Sequence, residues 1–228
     1  RQLALIYELS KSNPCIKGIH LEGPFLGVDY KGAQPEEYLQ PLLISKFNEF
    51  QEAAKGLIKY ITISPELQGA EEFIKELVKQ KVHVSLGHSS ASFEQAKKAV
   101  DYGAKGFTHT MNAMKPIDHH SPSIATFALY SKNTYCEVIM DGIHVHPDMV
   151  EFIRKNKTND YIIGITDSLM PAGLPNGDYF LCLELSREFT VPEPIVKRAS
   201  LLTIVSGVES EDEVTVELYK AGETSPVD

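Results

Sequence analysis

Short apolar runs rich in β-branched residues alternate along the chain with segments in which apolar residues recur every three or four positions. The runs predict strands, and the segments between them predict helices that pack on those strands. The six predicted strands are Ile16 to Leu21, Tyr60 to Ser64, Lys81 to Leu86, Ala104 to Thr108, Tyr135 to Met140 and Tyr161 to Thr166. This alternation is typical of βα units around a parallel sheet.

Four helices follow from the same pattern. Glu71 to Gln80 places Phe73, Leu77 and Val78 at helical spacing. The other three are Ser92 to Tyr102, which begins with a Ser-x-x-Gln capping box, Asp148 to Lys155 after Pro147, and Arg1 to Ser12.

The pattern weakens after about Phe180. Val214 to Tyr219 alternates like a strand, whereas Leu181 to Glu213 gives no assignment. We therefore predict a catalytic barrel domain at 1–180 and a C-terminal segment at 181–228 that forms part of a small β domain.

Polar residues stand at or just past the end of each predicted strand. They are Glu22, Glu66, His88, His109, Asp141 and Asp167. Active-site residues contributed by the carboxyl ends of several strands are typical of a TIM barrel, and no Gly-x-Gly-x-x-Gly or Walker motif supports a doubly wound sheet. The predicted fold class is therefore α/β, a TIM-barrel-like (β/α) fold. Six of eight strands are visible, and the start within a helix predicts that the other two lie upstream.

Charge and composition exclude several classes. A net charge of -9 and a pI near 5.4, without a block of Lys or Arg, disfavour nucleic-acid binding. Cys15, Cys136 and Cys182 lie far apart, which fits neither a disulfide framework nor a zinc finger. No apolar run reaches the roughly 20 residues of a membrane helix. A cytoplasmic enzyme is the resulting expectation.

Five motifs carry the candidate chemistry. They are Gly-Ile-His-Leu-Glu-Gly-Pro-Phe at 18–25, Leu-Gly-His-Ser at 86–89, Thr-His-Thr-Met-Asn-Ala-Met at 108–114, Met-Asp-Gly-Ile-His-Val at 140–145 and Thr-Asp-Ser at 166–168. Each motif alone is a weak signal. Together, one carboxylate and two imidazoles from three strand ends are able to bind a divalent ion and leave a position open for water. A further strand-end Asp is then available as the base.

In this order and with these separations, the motifs resemble those of N-acetylglucosamine-6-phosphate deacetylases of the amidohydrolase superfamily, from about Ile16 to Tyr179. The resemblance implies a metal-dependent hydrolase that releases acetate from the sugar phosphate. It implies Glu22, His88 and His109 as metal ligands and Asp167 as the catalytic acid/base. It also implies a homodimer and zinc as the metal, with iron, manganese and cobalt fitting the same ligands.

Further positions are implied to bind substrate. They are His144, the Asn112-Ala113 backbone, Gln34 and His120. Gln34 stands where many members have His, and its amide still donates a hydrogen bond. His120 stands where many members have an Arg that reaches the phosphate in a neighbouring subunit, and a histidine is a weaker anion anchor. Three other histidines are interpreted as structural: His20 and His83 inside strands, and His146 at a helix entry.

Three alternatives remain open at this point. The chain is a catalytically inactive fragment or remnant that lacks the first barrel strand, an amidohydrolase for another N-acetylated sugar or amide, or a sugar-phosphate binder without turnover. A test of phosphate dependence separates the substrates, and acetate release separates enzyme from binder.

Overall fold

The computed structural model describes residues 2–168 and the backbone of four later strands, at 179–182, 189–190, 203–205 and 217–220. The chain forms two compact units, and each is described by itself. The first contains Arg1–Ile165 and Ser200–Gly207, and the second contains Thr166–Ala199 and Val208–Asp228. The predicted domain boundary at residue 180 stays a prediction.

Helices and strands alternate through the first unit. Its helices are α1 (Gln2–Ser12), α2 (Ile44–Ala53), α3 (Ala70–Lys79), α4 (Phe93–Tyr102), α5 (Ile124–Tyr130) and α6 (Pro147–Asn156). Its first six strands are β1 (Ile19–Glu22), β2 (Ile58–Ile63), β3 (His83–Leu86), β4 (Gly106–Phe107), β5 (Tyr135–Ile139) and β6 (Ile162–Ile165). All six predicted strands are present, although β4 is shorter than predicted.

The sheet settles the choice between the two parallel architectures. Neighbouring strands are parallel and follow the chain order, β1 beside β2 and so on to β6. A doubly wound sheet reverses its strand order at a switch point, whereas a barrel adds strands in one direction. The sheet is therefore the curled, barrel-like sheet that was predicted. A further strand, Thr203–Val205, lies parallel to β1 on its other side and was not predicted.

In the second unit, strands Tyr179–Cys182 and Glu217–Lys220 are antiparallel, and Phe189–Thr190 pairs with the first of these. The strand predicted at Val214 to Tyr219 overlaps the second, and residues 214–216 lie outside the described part. Among the described residues, no helix combines the length and the apolar character needed to cross a membrane.

Helix α3 shows how the amphipathic pattern creates the core. Phe73, Ile74 and Leu77 are fully buried, and the Phe73 ring packs 4.9 Å from the Phe25 ring, centroid to centroid. Val78, which was predicted on the same face, is 43% exposed because that face runs through Ile74 instead. Burial of such rings contributes roughly 1.5–3 kcal/mol each.

The capping box predicted at α4 is present, whereas α2 and α5 were not predicted. The Ser92 hydroxyl accepts from the Gln95 amide, and the Gln95 side chain accepts from the Ser92 amide. Helix α5 is Ile-Ala-Thr-Phe-Ala-Leu-Tyr, and five of its seven residues are buried. A short helix with little polar face has no amphipathic period to detect.

Candidate metal centre

Three strand ends bring Glu22, His88 and His109 together. Glu22 is the last residue of β1, and the two histidines stand two residues beyond β3 and β4. The Oε1 atom of Glu22 lies 2.6 Å from Nε2 of His88 and 3.0 Å from Nε2 of His109. Among the described residues, these three form the group of potential metal-ligand atoms that lie within 4.8 Å of one another.

The other ring nitrogen of each histidine is hydrogen-bonded to the main chain. Nδ1 of His88 donates to the Tyr30 carbonyl at 2.9 Å, and Nδ1 of His109 donates to the Asn112 carbonyl at 3.2 Å. A carbonyl oxygen only accepts, so the proton of each neutral ring sits on Nδ1. The Nε2 lone pairs therefore face Glu22, which is the orientation that a metal-binding histidine requires.

The donor set fits a divalent metal ion. The two Nε2 atoms lie 3.0 Å apart, and all three residues are at least 94% buried, so three acceptors converge with little water to separate them. A cation or a proton must stand between them. Burial opposes ionisation of Glu22, but its close contacts with the His109 and His88 rings hold its pKa well below the usual range. One carboxylate and two imidazoles suit zinc and its neighbours.

The backbone bends in the same way after three of the strands. His88, His109 and Asp167 each stand two residues beyond a strand, and their φ angles are 48°, 31° and 49°. The left-handed conformation costs a non-glycine residue about 1–2 kcal/mol. Such a cost persists where surrounding contacts enforce it, which is common at functional sites. Asp167 belongs to the second compact unit, and its acid/base role stays a prediction.

Buried polar side chains on neighbouring strands form a chain of hydrogen bonds. His20 bonds to the Thr62 hydroxyl at 2.7 Å, and Thr62 bonds in turn to Thr108. Burial lowers the pKa of His20 to about 4, so the ring is neutral at physiological pH. The interpretation of His20 as a satisfied interior histidine is confirmed. His83 is exposed at the first position of β3, so the interior position predicted for it is wrong.

Glu137 on β5 was not identified from the sequence. Its side chain is 6% exposed, and burial raises its pKa to about 7. Glu137 lies in the middle of an apolar strand, and no motif surrounds it. The alternation of inward-facing and outward-facing positions along β5 is the one sequence feature that could have indicated its burial.

The predicted substrate-binding residues near the metal ligands lie in two loops. Gln34 is 5% exposed. Its backbone amide donates to the Lys31 carbonyl at 3.1 Å, and its carbonyl accepts from Nζ of Lys31 at 3.1 Å. Asn112 and Ala113 form the turn after His109, where the Asn112 amide donates to the His109 carbonyl at 2.8 Å. This turn supplies the Asn112 carbonyl that orients the His109 ring, so Asn112 contacts the candidate metal centre through its backbone.

The other two predicted substrate-binding residues are on exposed loops. Nδ1 of His144 lies 2.6 Å from Asp141, and hydrogen bonds from His144 and Ile143 lower the pKa of this carboxyl to about 2, although burial opposes the shift. The His120 ring packs against the His119 ring, with the centroids 3.9 Å apart and the planes tilted by 42°. Substrate binding at His120 and His144 stays a prediction. His146 caps α6, as predicted.

Sequence comparison finds amino-sugar deacetylases. The chain is 38% identical over 162 residues to N-acetylglucosamine-6-phosphate deacetylase of Bacillus subtilis, which covers 71% of this chain and 41% of that protein. It is 35% identical over 169 residues to N-acetylgalactosamine-6-phosphate deacetylase of Escherichia coli O157:H7, covering 74% of this chain and 45% of that protein. No protein-family model matches the chain.

Solved structures give the same class. N-acetyl-D-glucosamine-6-phosphate deacetylase from Mycobacterium smegmatis matches with a TM-score of 0.74 at 31% identity, over 78% of this chain and 47% of that one. A mutant of that enzyme, in complex with N-acetyl-D-glucosamine-6-phosphate, matches equally well.

Fold and site together match part of the amidohydrolase barrel of these structural neighbours. Within that class, the relatives and structural neighbours of the chain are N-acetylglucosamine-6-phosphate deacetylases, together with deacetylases for the galactosamine epimer. The chain spans less than half the length of the relatives described above.

Proposed function

We propose that the protein hydrolyses the acetamide of N-acetylglucosamine 6-phosphate to give glucosamine 6-phosphate and acetate. The observation that carries this proposal is the buried cluster of Glu22, His88 and His109 at three strand ends of a barrel-like sheet. Similarity to deacetylases for this substrate supports it. Because the chain spans less than half of these relatives, the activity is proposed for the whole gene product.

We assign one divalent metal ion, with zinc as the first candidate, to these three ligands. When bound, the metal supplies Lewis acidity to the amide carbonyl and to the attacking water. The chain's own contribution is to fix its ligands: the carbonyls of Tyr30 and Asn112 hold the two rings with Nε2 directed inward. Burial excludes competing water from the ligand atoms.

Asp167 is the proposed proton carrier. Its carboxylate accepts the proton of the attacking water, and the resulting acid then protonates the departing sugar amine. The resemblance of Thr-Asp-Ser at 166–168 to the corresponding motif of the deacetylases supports this role.

We further propose that the phosphate is bound on the side of His144, with Asn112, Ala113, Gln34 and His120 lining the sugar and phosphate positions. The Asp141 carboxylate holds His144 through Nδ1 at 2.6 Å. In its imidazolium form, His144 then donates from Nε2 to an anion.

The galactosamine epimer is the second candidate substrate. Deacetylases for N-acetylgalactosamine 6-phosphate are 35% identical to the chain in Escherichia coli O157:H7 and 37% identical in a Shewanella strain. These identities are close to those of the glucosamine-specific relatives, so overall similarity gives little preference between the two sugars.

The test combines metal analysis with acetate release. The purified gene product and the 228-residue chain are assayed with both phosphorylated epimers and with unphosphorylated N-acetylglucosamine. We expect near-stoichiometric metal, and the highest kcat/KM on N-acetylglucosamine 6-phosphate. Equal kcat/KM without the phosphate would refute the phosphate site. Thermal stabilisation by the sugar phosphate without acetate release would identify a binder instead of an enzyme.

Two further proposals concern the oligomeric state and the cellular location of the enzyme. We propose a homodimer in the cytoplasm, where an amino-sugar phosphate and a reducing environment for the cysteines both occur. Light scattering of the purified gene product tests the dimer, and a monomeric mass at assay concentration would contradict it.

A further inference from the structure

Glu66, just beyond β2, accepts hydrogen bonds from the two residues that follow the metal ligand His88. Its Oε2 accepts from the Ser89 hydroxyl at 2.6 Å, and its Oε1 accepts from the Ser90 amide at 2.7 Å. The carboxylate also reaches the loop after β1, because a β-carbon on Gly27 would lie 2.7 Å from Oε1. One side chain therefore contacts loops that follow two other strands.

His88 is held from its other side by Ser64. The Ser64 hydroxyl donates to the His88 carbonyl at 2.6 Å and accepts from the Gly27 amide at 2.7 Å. His88 itself has φ near 48°, a conformation that needs external support. Ser64 and Glu66 come from the same strand end, so β2 fixes the backbone on both sides of the ligand.

Ser89 connects Glu66 to the second histidine ligand, His109, through backbone hydrogen bonds. This residue is fully buried; its amide donates to the Ala113 carbonyl at 3.0 Å, and its carbonyl accepts from Lys115 at 2.9 Å. Ala113 belongs to the turn whose Asn112 carbonyl orients the His109 ring, and Lys115 follows that turn. Movement of Ser89 would therefore disturb the environment of both His88 and His109.

We propose that Glu66 is a positioning residue for the metal centre, acting through Ser89 on both histidine ligands. Glu66 does not belong to the group of ligand atoms within 4.8 Å, so its action is indirect. The proposal rests on the proposed metal site but not on the substrate or the reaction. Outer contacts of this kind affect metal affinity by about 10- to 100-fold.

The experiment measures zinc affinity by competition with a chromophoric chelator, using the whole gene product. Glu66→Ala is expected to weaken zinc binding about 10- to 100-fold. Glu66→Gln should weaken it less, because its one carbonyl oxygen still accepts from Ser90 while its amide group no longer accepts from Ser89. The matched control is Glu52→Ala, an exposed glutamate near the end of α2, which should leave the zinc affinity unchanged.

A double-mutant cycle tests the route through Ser89. If Glu66 acts through this residue, Ser89→Ala weakens zinc binding on its own, and adding Glu66→Ala costs much less than it does in the parent protein. Full additivity would overturn that route. A merely structural Glu66 would lower the melting temperature of metal-free protein and leave the zinc Kd within twofold of the parent value, which would overturn the positioning role. Both readouts are independent of acetate release, so failure of the proposed activity would not affect them.

Discussion

Replacing Glu22 with glutamine should have opposite effects on the metal-free and the metal-loaded protein. The substitution keeps the shape but removes the charge and turns one carboxylate oxygen into an amide donor. In the metal-free protein, that donor faces two Nε2 atoms that lie 2.6 and 3.0 Å from Oε1. Replacing an acceptor by a donor relieves the repulsion between these close, buried acceptors, so Glu22→Gln should be at least as stable as the parent without metal.

The loss with metal follows from linkage. A metal at 100 times its Kd stabilises the folded state by about 2.7 kcal/mol, and a 100-fold weaker site at the same concentration stabilises it by only about 0.4 kcal/mol. For a chain of this size, this difference of about 2.3 kcal/mol reduces the metal-induced shift in Tm by about 5–9 °C.

The assay is thermal unfolding with chelator and with a fixed excess of zinc, with Glu52→Gln as the exposed control. A zinc-induced shift in Glu22→Gln equal to that of the parent would refute the role of Glu22 as a ligand. An equal loss of Tm with and without zinc would show that its role is to stabilise the fold, and the electrostatic reasoning would be wrong.

Three other changes have defined outcomes. Asp167→Asn should retain metal and lower kcat by roughly 10²–10⁴-fold in acetate release, and a near-normal kcat would contradict the acid/base role. Phe73→Ala should lower the free energy of unfolding by about 3–5 kcal/mol in urea, because the ring is 1% exposed and packs against Phe25; a loss below 1 kcal/mol would contradict its place in the core. Burial raises the pKa of the Cys136 thiol above 9.0, so its contribution to stability is present below pH 9 and is lost as the pH rises toward the folded-state pKa. Cys136→Ala should therefore lose less stability than the parent between pH 8 and pH 10, and equal losses would refute this.

Repeating patterns in the sequence determined the fold class and the candidate ligands. Apolar runs separated by amphipathic segments gave the six parallel strands, since a strand between helices is buried on both faces and a helix on one. Glu22, His88 and His109 stand out because they are polar residues directly after such runs. The Ser92 capping box was equally visible, because all its contacts lie within three residues.

Only the tertiary structure decided how these residues are held. The Tyr30 carbonyl that orients His88 is 58 positions away, and every residue type carries the same backbone oxygen, so no sequence signal marks it. In the sequence, Glu66 is only a polar residue at a strand end. Its hydrogen bond with Ser89 forms because β2 and β3 are neighbours in the sheet. His83 was placed inside by its strand period, yet it is exposed because it is the first residue of β3. Periodicity reports the face that a residue occupies, whereas long-range hydrogen bonds and strand ends depend on which segments the fold brings together.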